Sequence, residues 1–380
     1  MRAIFVGGGA SSLVGAILLK KKHPEMEVFI IEKSGMLGRK LSLTGNGKCN
    51  LAPLSGGYES KYNNPSFVKS LFEKIDDEEY RQTLKELGIN TKYLDNKGLY
   101  PISESTKNVL TILNANIVKY SVQIIYENVL DYTSSKNGII VKTDKQDLKC
   151  DYLFLGVGGK SYPKTGSDGA FFDVLQKHGY YMVPLRPALC PIKVKENVHD
   201  LFGARCKGKV SLLQKDKVLG VEEGEIMFKK DGLSGICVMN LSRLIQDDEC
   251  ILSLNLIEGV SKEDFLSYQG DNYSLLISYL PIPLAKYVLK ILSLDNNGQK
   301  ELLYKTLKDL RFTVKSLYGY DEAQVTRGGI SLENIHKDFS SSIENNVYLL
   351  GEMLDIDGPC GGYNLRFALT SAFYCVKCFE

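Results

Sequence analysis

The sequence has no surplus charge of either sign. Its 47 basic and 45 acidic residues leave a net charge of +2, so nothing global draws it to nucleic acid or to an anionic membrane. Histidine is scarce, with four in 380 residues. His23, His178 and His199 read as exposed and His336 as part of a connecting segment, so no histidine-centred acid–base site is evident. There is no Gly-x-Ser-x-Gly elbow and no Walker lysine, which removes the usual motifs for acyl transfer and nucleotide hydrolysis. No segment is apolar enough to span a bilayer. The charge-free stretch from Ala3 to Leu19 after Arg2 imitates a signal peptide. However, Gly7, Gly8, Gly9, Ser11 and Ser12 interrupt it, and Lys20, Lys21 and Lys22 stand where a small-residue cleavage site is needed. The nine cysteines are odd in number and scattered. Only Cys375 and Cys378 have CxxC spacing, with no second pair nearby. They read as reduced thiols of a cytoplasmic protein, with no disulfide framework and no metal site.

The length exceeds one ordinary core and suits two domains, or a nucleotide-binding domain carrying an insertion. At 44% hydrophobic and 24% charged, the composition is globular. Ala3 to Val6 is an apolar run ending in glycines, Ser12 to Lys22 has helical spacing, and Val28 to Ile31 is a second apolar run closed by Glu32. Strand, glycine turn, helix, strand and acid form a dinucleotide-binding unit, so the class is α/β. Helical patterns cover much of Asn64 to Leu87 and Ser105 to Tyr120. Strand patterns cover Val122 to Tyr126, Gly138 to Thr143 and Tyr152 to Val157. Asp168 to His178 reads as a helix capped by Ser167 or Asp168. The character changes near Pro184 to Pro191. Short β-type runs follow, including Lys209 to Leu213 and Glu225 to Phe228, and then a helical pattern from Ser261 to Tyr318. Val347 to Leu350 returns as a buried strand before a glycine-rich turn and a terminal helix. These boundaries divide the chain into a nucleotide-binding domain at 1–189 and 321–380 and an inserted domain at 190–320. The chain has no internal repeat.

Three segments carry chemistry. In the first, Gly7 permits a tight turn, and Gly9, Ala10 and Ser11 bring backbone and the start of a helix to a pyrophosphate. Ser12 takes the third glycine position, where a small residue still permits close packing of helix on strand. Glu32 stands where a ribose hydroxyl is bound and would repel a 2′-phosphate, which favours FAD or NAD over NADP at this site. Lys33 follows it. The second segment, from Gly38 to Asn50, alternates glycines with polar side chains: Arg39, Lys40, Thr44, Gly45, Asn46, Cys49 and Asn50. Such a loop can lay amides along a pyrophosphate and a flavin. Cys49 reads as either a packing residue or a redox thiol. The third segment holds Gly351, Glu352, Asp357, Gly361, Gly362, Tyr363 and Asn364. Its strand-to-helix turn aims a helix N-terminus at the cleft, where it would stabilise the negative charge of a reduced flavin. Two further glycine turns, around Gly158 and at Thr326 to Ile330 before the last strand, complete the set.

The strings GRKLSLTGNGKCN, GGKSYPKTGSDG, GEIMFKKDGLSG, TRGGISLENI and GEMLDIDGPCGGYN occur in this order across nearly the whole chain. In them the sequence resembles the HI0933-like, or BaiN-like, bacterial flavoproteins, also labelled the aminoacetone oxidase family of FAD-binding enzymes. The resemblance implies an FAD/NAD(P)-binding Rossmann-like α/β domain, with an inserted domain containing β-barrel and helical parts. By position, Gly7, Gly9 and Glu32 match the family's adenosine and pyrophosphate contacts, and Thr44, Gly45 and Asn50 its flavin loop. Gly351, Glu352, Gly362 and Asn364 match its closing turn, and Val129 and Gly158 join the cofactor contacts. The chain departs from the family at Ser12, at Lys48 where relatives often have arginine, and at Arg327 where many have a small residue.

The expected function is an FAD-dependent oxidoreductase. In it NADH or NADPH passes hydride through flavin N5 to an enone-like small molecule, and Arg327, Tyr363 and Cys49 are the candidates for a direct catalytic role. The alternatives are an oxidase that uses oxygen, and a non-enzymatic flavin- or RNA-associated protein. Neither nucleic acid nor membrane is expected as a partner, and the sequence does not speak to oligomeric state.

Overall fold

The computed structural model describes every residue except 55, 95–97, 137, 216, 247–248 and 295–298. The chain forms two compact units, one made of Met1–Arg186 with Val325–Glu380 and the other of Pro187–Gln324.

The first unit is built on a five-stranded sheet. Its strands, in spatial order, are Val347–Leu349, Tyr152–Leu155, Arg2–Val6 (β1), Glu27–Ile31 (β2) and Gln123–Ile125, and every pairing is parallel. Parallel strands covered on both faces read as unbroken apolar runs, as Ala3–Val6 and Val28–Ile31 do. In register across three strands, Phe5, Phe154 and Tyr348 stack with ring centroids 4.3 and 4.6 Å apart. The helix Ala10–Lys22 (α1) follows β1 and is buried on nearly every side from Ser11 to Leu19. Gly15 lets it lie against the sheet, since a Cβ there would come within 2.9 Å of the Phe5 ring. An antiparallel meander, Val129–Ser135, Gly138–Thr143 and Asp147–Cys150, leads into the strand Tyr152–Leu155. Two expectations need correction here. The helix read as Asp168 to His178 is confined to Phe171–Lys177. His178 and His23, both read as exposed, are half-buried: their side chains are 16% and 19% exposed, and the two ring nitrogens of His178 lie 3.0 Å from Asp131 and from Glu344.

The second unit contains a closed six-stranded barrel. Its strands are Ile192–Val194, Gly232–Ser234, Lys217–Lys229, Arg205–Gln214, Cys250–Asn255 and Leu310–Leu317 in spatial order. Four helices, Lys262–Ser267, Asn272–Ile277, Ile282–Leu292 and Lys300–Lys308, fall where the helical pattern was read. That pattern does not extend to Tyr318. In Leu310–Leu317 the buried residues Leu310, Phe312 and Val314 alternate with exposed or half-buried ones, the period of a strand, and this strand closes the barrel. Among the described residues no helix is long and apolar enough to cross a membrane.

Candidate cofactor site

The loop after β1 separates the glycines the fold requires from those a ligand requires. Gly7 has φ +93° and donates its N–H to Ile31, and a Cβ on it would come within 2.6 Å of the Gly156 carbonyl. Gly9 is extended, and among the described residues, its chain neighbours aside, a Cβ on it would find only one atom within 4 Å, the Gly156 oxygen at 3.8 Å. Its missing side chain leaves open space in front of α1. No side chain caps that helix, and no acid lies in its first turn, so the N–H groups of Ala10 and Ser11 stand at an undischarged positive end. The serine at position 12 is accommodated just beyond the neighbouring strand Tyr152–Leu155. A Cβ at Gly156 would fall 2.2 Å from the Ser12 hydroxyl, so a glycine opposite makes room for the serine. Among the described residues that buried hydroxyl has no hydrogen-bond partner.

Glu32 is buried beside this loop. Its carboxylate accepts the Gly8 N–H at 2.6 Å through one oxygen and the Ser34 N–H at 2.6 Å through the other. Each oxygen keeps a second lone pair for a ribose hydroxyl. Glu32→Ala removes that acceptor and orphans two backbone donors, which costs about 1–3 kcal/mol for each group left unsatisfied. It is expected to lower both apoprotein stability and FAD affinity, read by denaturant titration and by FAD-binding fluorescence. Lys33 points elsewhere and pairs with Asp168 at 2.7 Å.

The polar loop is tied to the glycine turn through Gly38, whose N–H meets the Gly8 carbonyl at 2.8 Å. Gly45, Asn46, Gly47 and Cys49 all take left-handed backbone angles. At Gly45 only glycine fits, because a Cβ would lie 2.7 Å from the Asn50 nitrogen. Thr44 folds its hydroxyl back to the Leu41 carbonyl at 2.8 Å, Asn46 is exposed, and Arg39 is half-buried. Asn50 is buried against the closing turn, where a Cβ on Gly362 would fall 2.6 Å from its Oδ1. The structure does not favour Cys49 as a redox or catalytic thiol. The residue is fully buried, and burial pushes its thiol up to about 11 against hydrogen bonds from Thr44 and Thr106, so the thiolate is scarce at neutral pH.

The closing segment folds over the same edge of the sheet. Gly351 has φ +73° and lies against α1, its N–H held by Ser371 at 3.0 Å. Glu352 receives the Lys40 ammonium on both oxygens, at 2.8 and 2.7 Å. The hydroxyl of Ser161 and the N–H of Thr326 also reach Glu352, each at 3.1 Å. Ser161 and Thr326 were not singled out from sequence. Both stand in the glycine strings already quoted, where the glycines drew attention and the hydroxyls between them did not. The segment Thr326 to Ile330 is no turn but part of the strand Val325–Ile330, in which Gly328 and Gly329 keep positive φ for close backbone contact.

Farther along, Arg327 Nε lies 4.0 Å from the buried Asp357. Asp355 accepts the amide of Asn63 at 2.9 Å, and its carboxyl is pushed up by burial, with the neighbouring Asp357 adding to the shift. Asn364 spends its side chain on the loop itself, accepting from Gly358 N and donating to Gly358 O, both at 2.9 Å. Tyr363 is buried, and its carbonyl accepts the Tyr62 hydroxyl at 2.8 Å. Gly361 and Gly362 have φ +114° and +93°, and the terminal helix Tyr363–Cys378 starts without a side-chain cap or an acid in its first turn. Val129, at the head of the meander, is buried.

A parallel sheet with a glycine turn into an uncapped helix, an acid ending the second strand and further glycine loops over the same edge form the Rossmann-type FAD-binding fold of flavin-dependent oxidoreductases. The chain belongs to the family described as HI0933-like protein Rossmann domain, whose model matches residues 1–378. It is 28% identical to the 3-dehydro-bile acid delta(4,6)-reductase of Clostridium scindens, with 97% of this chain and 96% of that one covered. It is 26% identical to the ribosomal RNA dihydrouridine synthase of Escherichia coli, with 99% and 97% covered. Among solved structures, the 3-ketosteroid-delta4-(5alpha)-dehydrogenase of Rhodococcus jostii shares the fold, with a TM-score of 0.51 at 13% identity over 100% of this chain and 96% of that one.

Proposed function

We infer that the protein is an FAD-dependent reductase that saturates a carbon–carbon double bond conjugated to a carbonyl, with NADH or NADPH as the donor. The observation that carries the cofactor is the open space at Gly9 before an uncapped helix, with Glu32 fixed beside it. The donor set fits FAD. The α1 N–H groups suit the pyrophosphate and Glu32 the adenosine ribose, while Glu352 suits the ribityl hydroxyls and the Tyr363–Cys378 helix N-terminus the electron-rich end of the ring. When bound, FAD supplies two-electron transfer through N5 between a nicotinamide and the acceptor. The protein's own share is positional: Gly7 and Gly38 fix the loops, and Lys40 and Ser161 hold the Glu352 carboxylate.

The acceptor class is supported by the relatives' names. One reduces the delta(4,6) bonds of a 3-dehydro bile acid and the other makes dihydrouridine in ribosomal RNA. Chemically, both products arise by adding hydrogen across a double bond conjugated to a carbonyl. A small molecule is preferred here because the net charge of +2 offers no broad attraction for RNA phosphates.

The test is anaerobic. The purified protein, loaded with FAD, is titrated with NADH and with NADPH and then mixed with a steroid dienone or with a uridine-containing rRNA fragment. Bleaching by one nicotinamide and recovery of colour with the dienone is the expected result. Recovery with RNA alone would transfer the reading to a dihydrouridine synthase. Bleaching by neither nicotinamide but by an amine, with rapid peroxide release once air is admitted, would replace the reductase by an oxidase.

A further inference from the structure

We propose that Lys40 and Glu352 are a charge-compensated pair that sets the reduction potential of bound FAD, Lys40 favouring the reduced cofactor and Glu352 the oxidised one. The proposal rests on the FAD reading above. Lys40 lies in the loop after β2 and Glu352 in the turn after Val347–Leu349, 312 positions apart, and the Ser161 loop follows Tyr152–Leu155. All three leave the C-terminal edge of the parallel sheet, where ligands of such folds bind.

Three features set this pair apart from an ordinary surface ion pair. It is two-pronged, at 2.8 and 2.7 Å. Its side chains are only 24% and 18% exposed, so water and salt screen it weakly. It is also fixed from behind. Ser161 Oγ lies 2.5 Å from the ammonium, Thr326 N–H reaches the carboxylate, and Thr326 Oγ1 takes the N–H groups of Lys160 and Ser161 at 2.7 and 3.0 Å. Each charge therefore keeps a contact of its own besides its partner.

The intact pair sums to zero. Two-electron reduction places negative charge on the flavin, so a lone carboxylate at this site opposes reduction and a lone ammonium assists it. Lys40→Met is therefore expected to lower the midpoint potential and Glu352→Gln to raise it. Each should change the ratio of affinities for reduced and oxidised FAD about tenfold, which is ~30 mV for a two-electron couple. The double variant should return close to wild type, and Lys40→Arg, which keeps the charge, should stay there.

The experiment is anaerobic dye equilibration of the FAD-loaded wild type and the four variants, with FAD affinity measured in parallel. Lost packing would weaken affinity in both single variants, but packing alone does not give opposite signs of potential. If Lys40→Met fails to fold, Lys40→Gln carries the same expectation. Shifts of the same sign, no shift, or a Lys40→Arg shift as large as that of Lys40→Met would overturn the proposal while leaving the FAD reading intact. A wild type that takes up no FAD would overturn both.

Discussion

Gly9→Val yields a folded protein that carries no FAD. The backbone at this position has φ −78° and ψ −179°, which any L-residue adopts, and among the described residues, its chain neighbours aside, a Cβ would meet within 4 Å only the Gly156 carbonyl oxygen at 3.8 Å. Neither the backbone nor the Cβ of a valine is therefore strained here. The space its methyl groups would fill lies in front of the uncapped N–H groups of α1, where the pyrophosphate is assigned. Blocking that position should weaken binding more than about a thousandfold, or ~4 kcal/mol. Gly7→Ala is the opposite case. A Cβ there would collide with the Gly156 carbonyl at 2.6 Å on a left-handed backbone, so it should damage the apoprotein itself. Thermal melts of the apoproteins and the flavin absorbance retained after reconstitution separate the two. Wild-type FAD occupancy in Gly9→Val would remove the pyrophosphate from this helix.

What could be read from the sequence was mostly backbone. The glycine triplet between two apolar runs, with an acid after the second, defines β1, α1 and β2 without tertiary information, because each residue answers a local demand. The strand Leu310–Leu317 was absorbed into a helical reading because leucine-rich helices precede it. Its alternation covers few residues, and its partners, Ile192–Val194 and Cys250–Asn255, lie far away in sequence. Thr326 to Ile330 looked like a turn because paired glycines usually mark one. Here they let a strand approach other backbone, with a Cβ on Gly328 falling 2.3 Å from the Pro184 carbonyl. At the site, Lys40 and Glu352 were each legible as polar residues in glycine loops, but their union across 312 positions is a product of topology. Burial was likewise invisible: Cys49 reads as a redox candidate until the surrounding core raises its thiol to about 11.

Arg366 shows the same limit at larger cost. In sequence it is one cation in a terminal helix; in the fold its side chain is 0% exposed. Its guanidinium donates to the Ile75 carbonyl and to Thr370 Oγ1, both at 2.9 Å, and to the Tyr58 hydroxyl at 3.3 Å. It also lies 3.7 Å from the Tyr80 ring centroid and 4.6 Å from that of Phe72. The nearby carboxylate is Asp77 at 3.4 Å, itself 32% exposed, so neutral acceptors and two ring faces carry much of the compensation. Arg366→Met keeps the volume but leaves the Ile75 carbonyl and two hydroxyls short of donors, and it is expected to cost about 3–5 kcal/mol. Arg366→Lys should also be destabilising, because one ammonium cannot reproduce the planar fork. Asp77→Asn should cost about 1 kcal/mol or less, since water already reaches that carboxylate. Tyr58 packs edge-on against Tyr363 at 6.0 Å, so loss of Arg366 should also loosen the turn at Gly362 and weaken FAD binding. Urea unfolding of the three apoproteins checks the ranking. If Arg366→Met costs no more than Asp77→Asn, the ion pair and not the buried cation–aromatic nest holds the terminal helix.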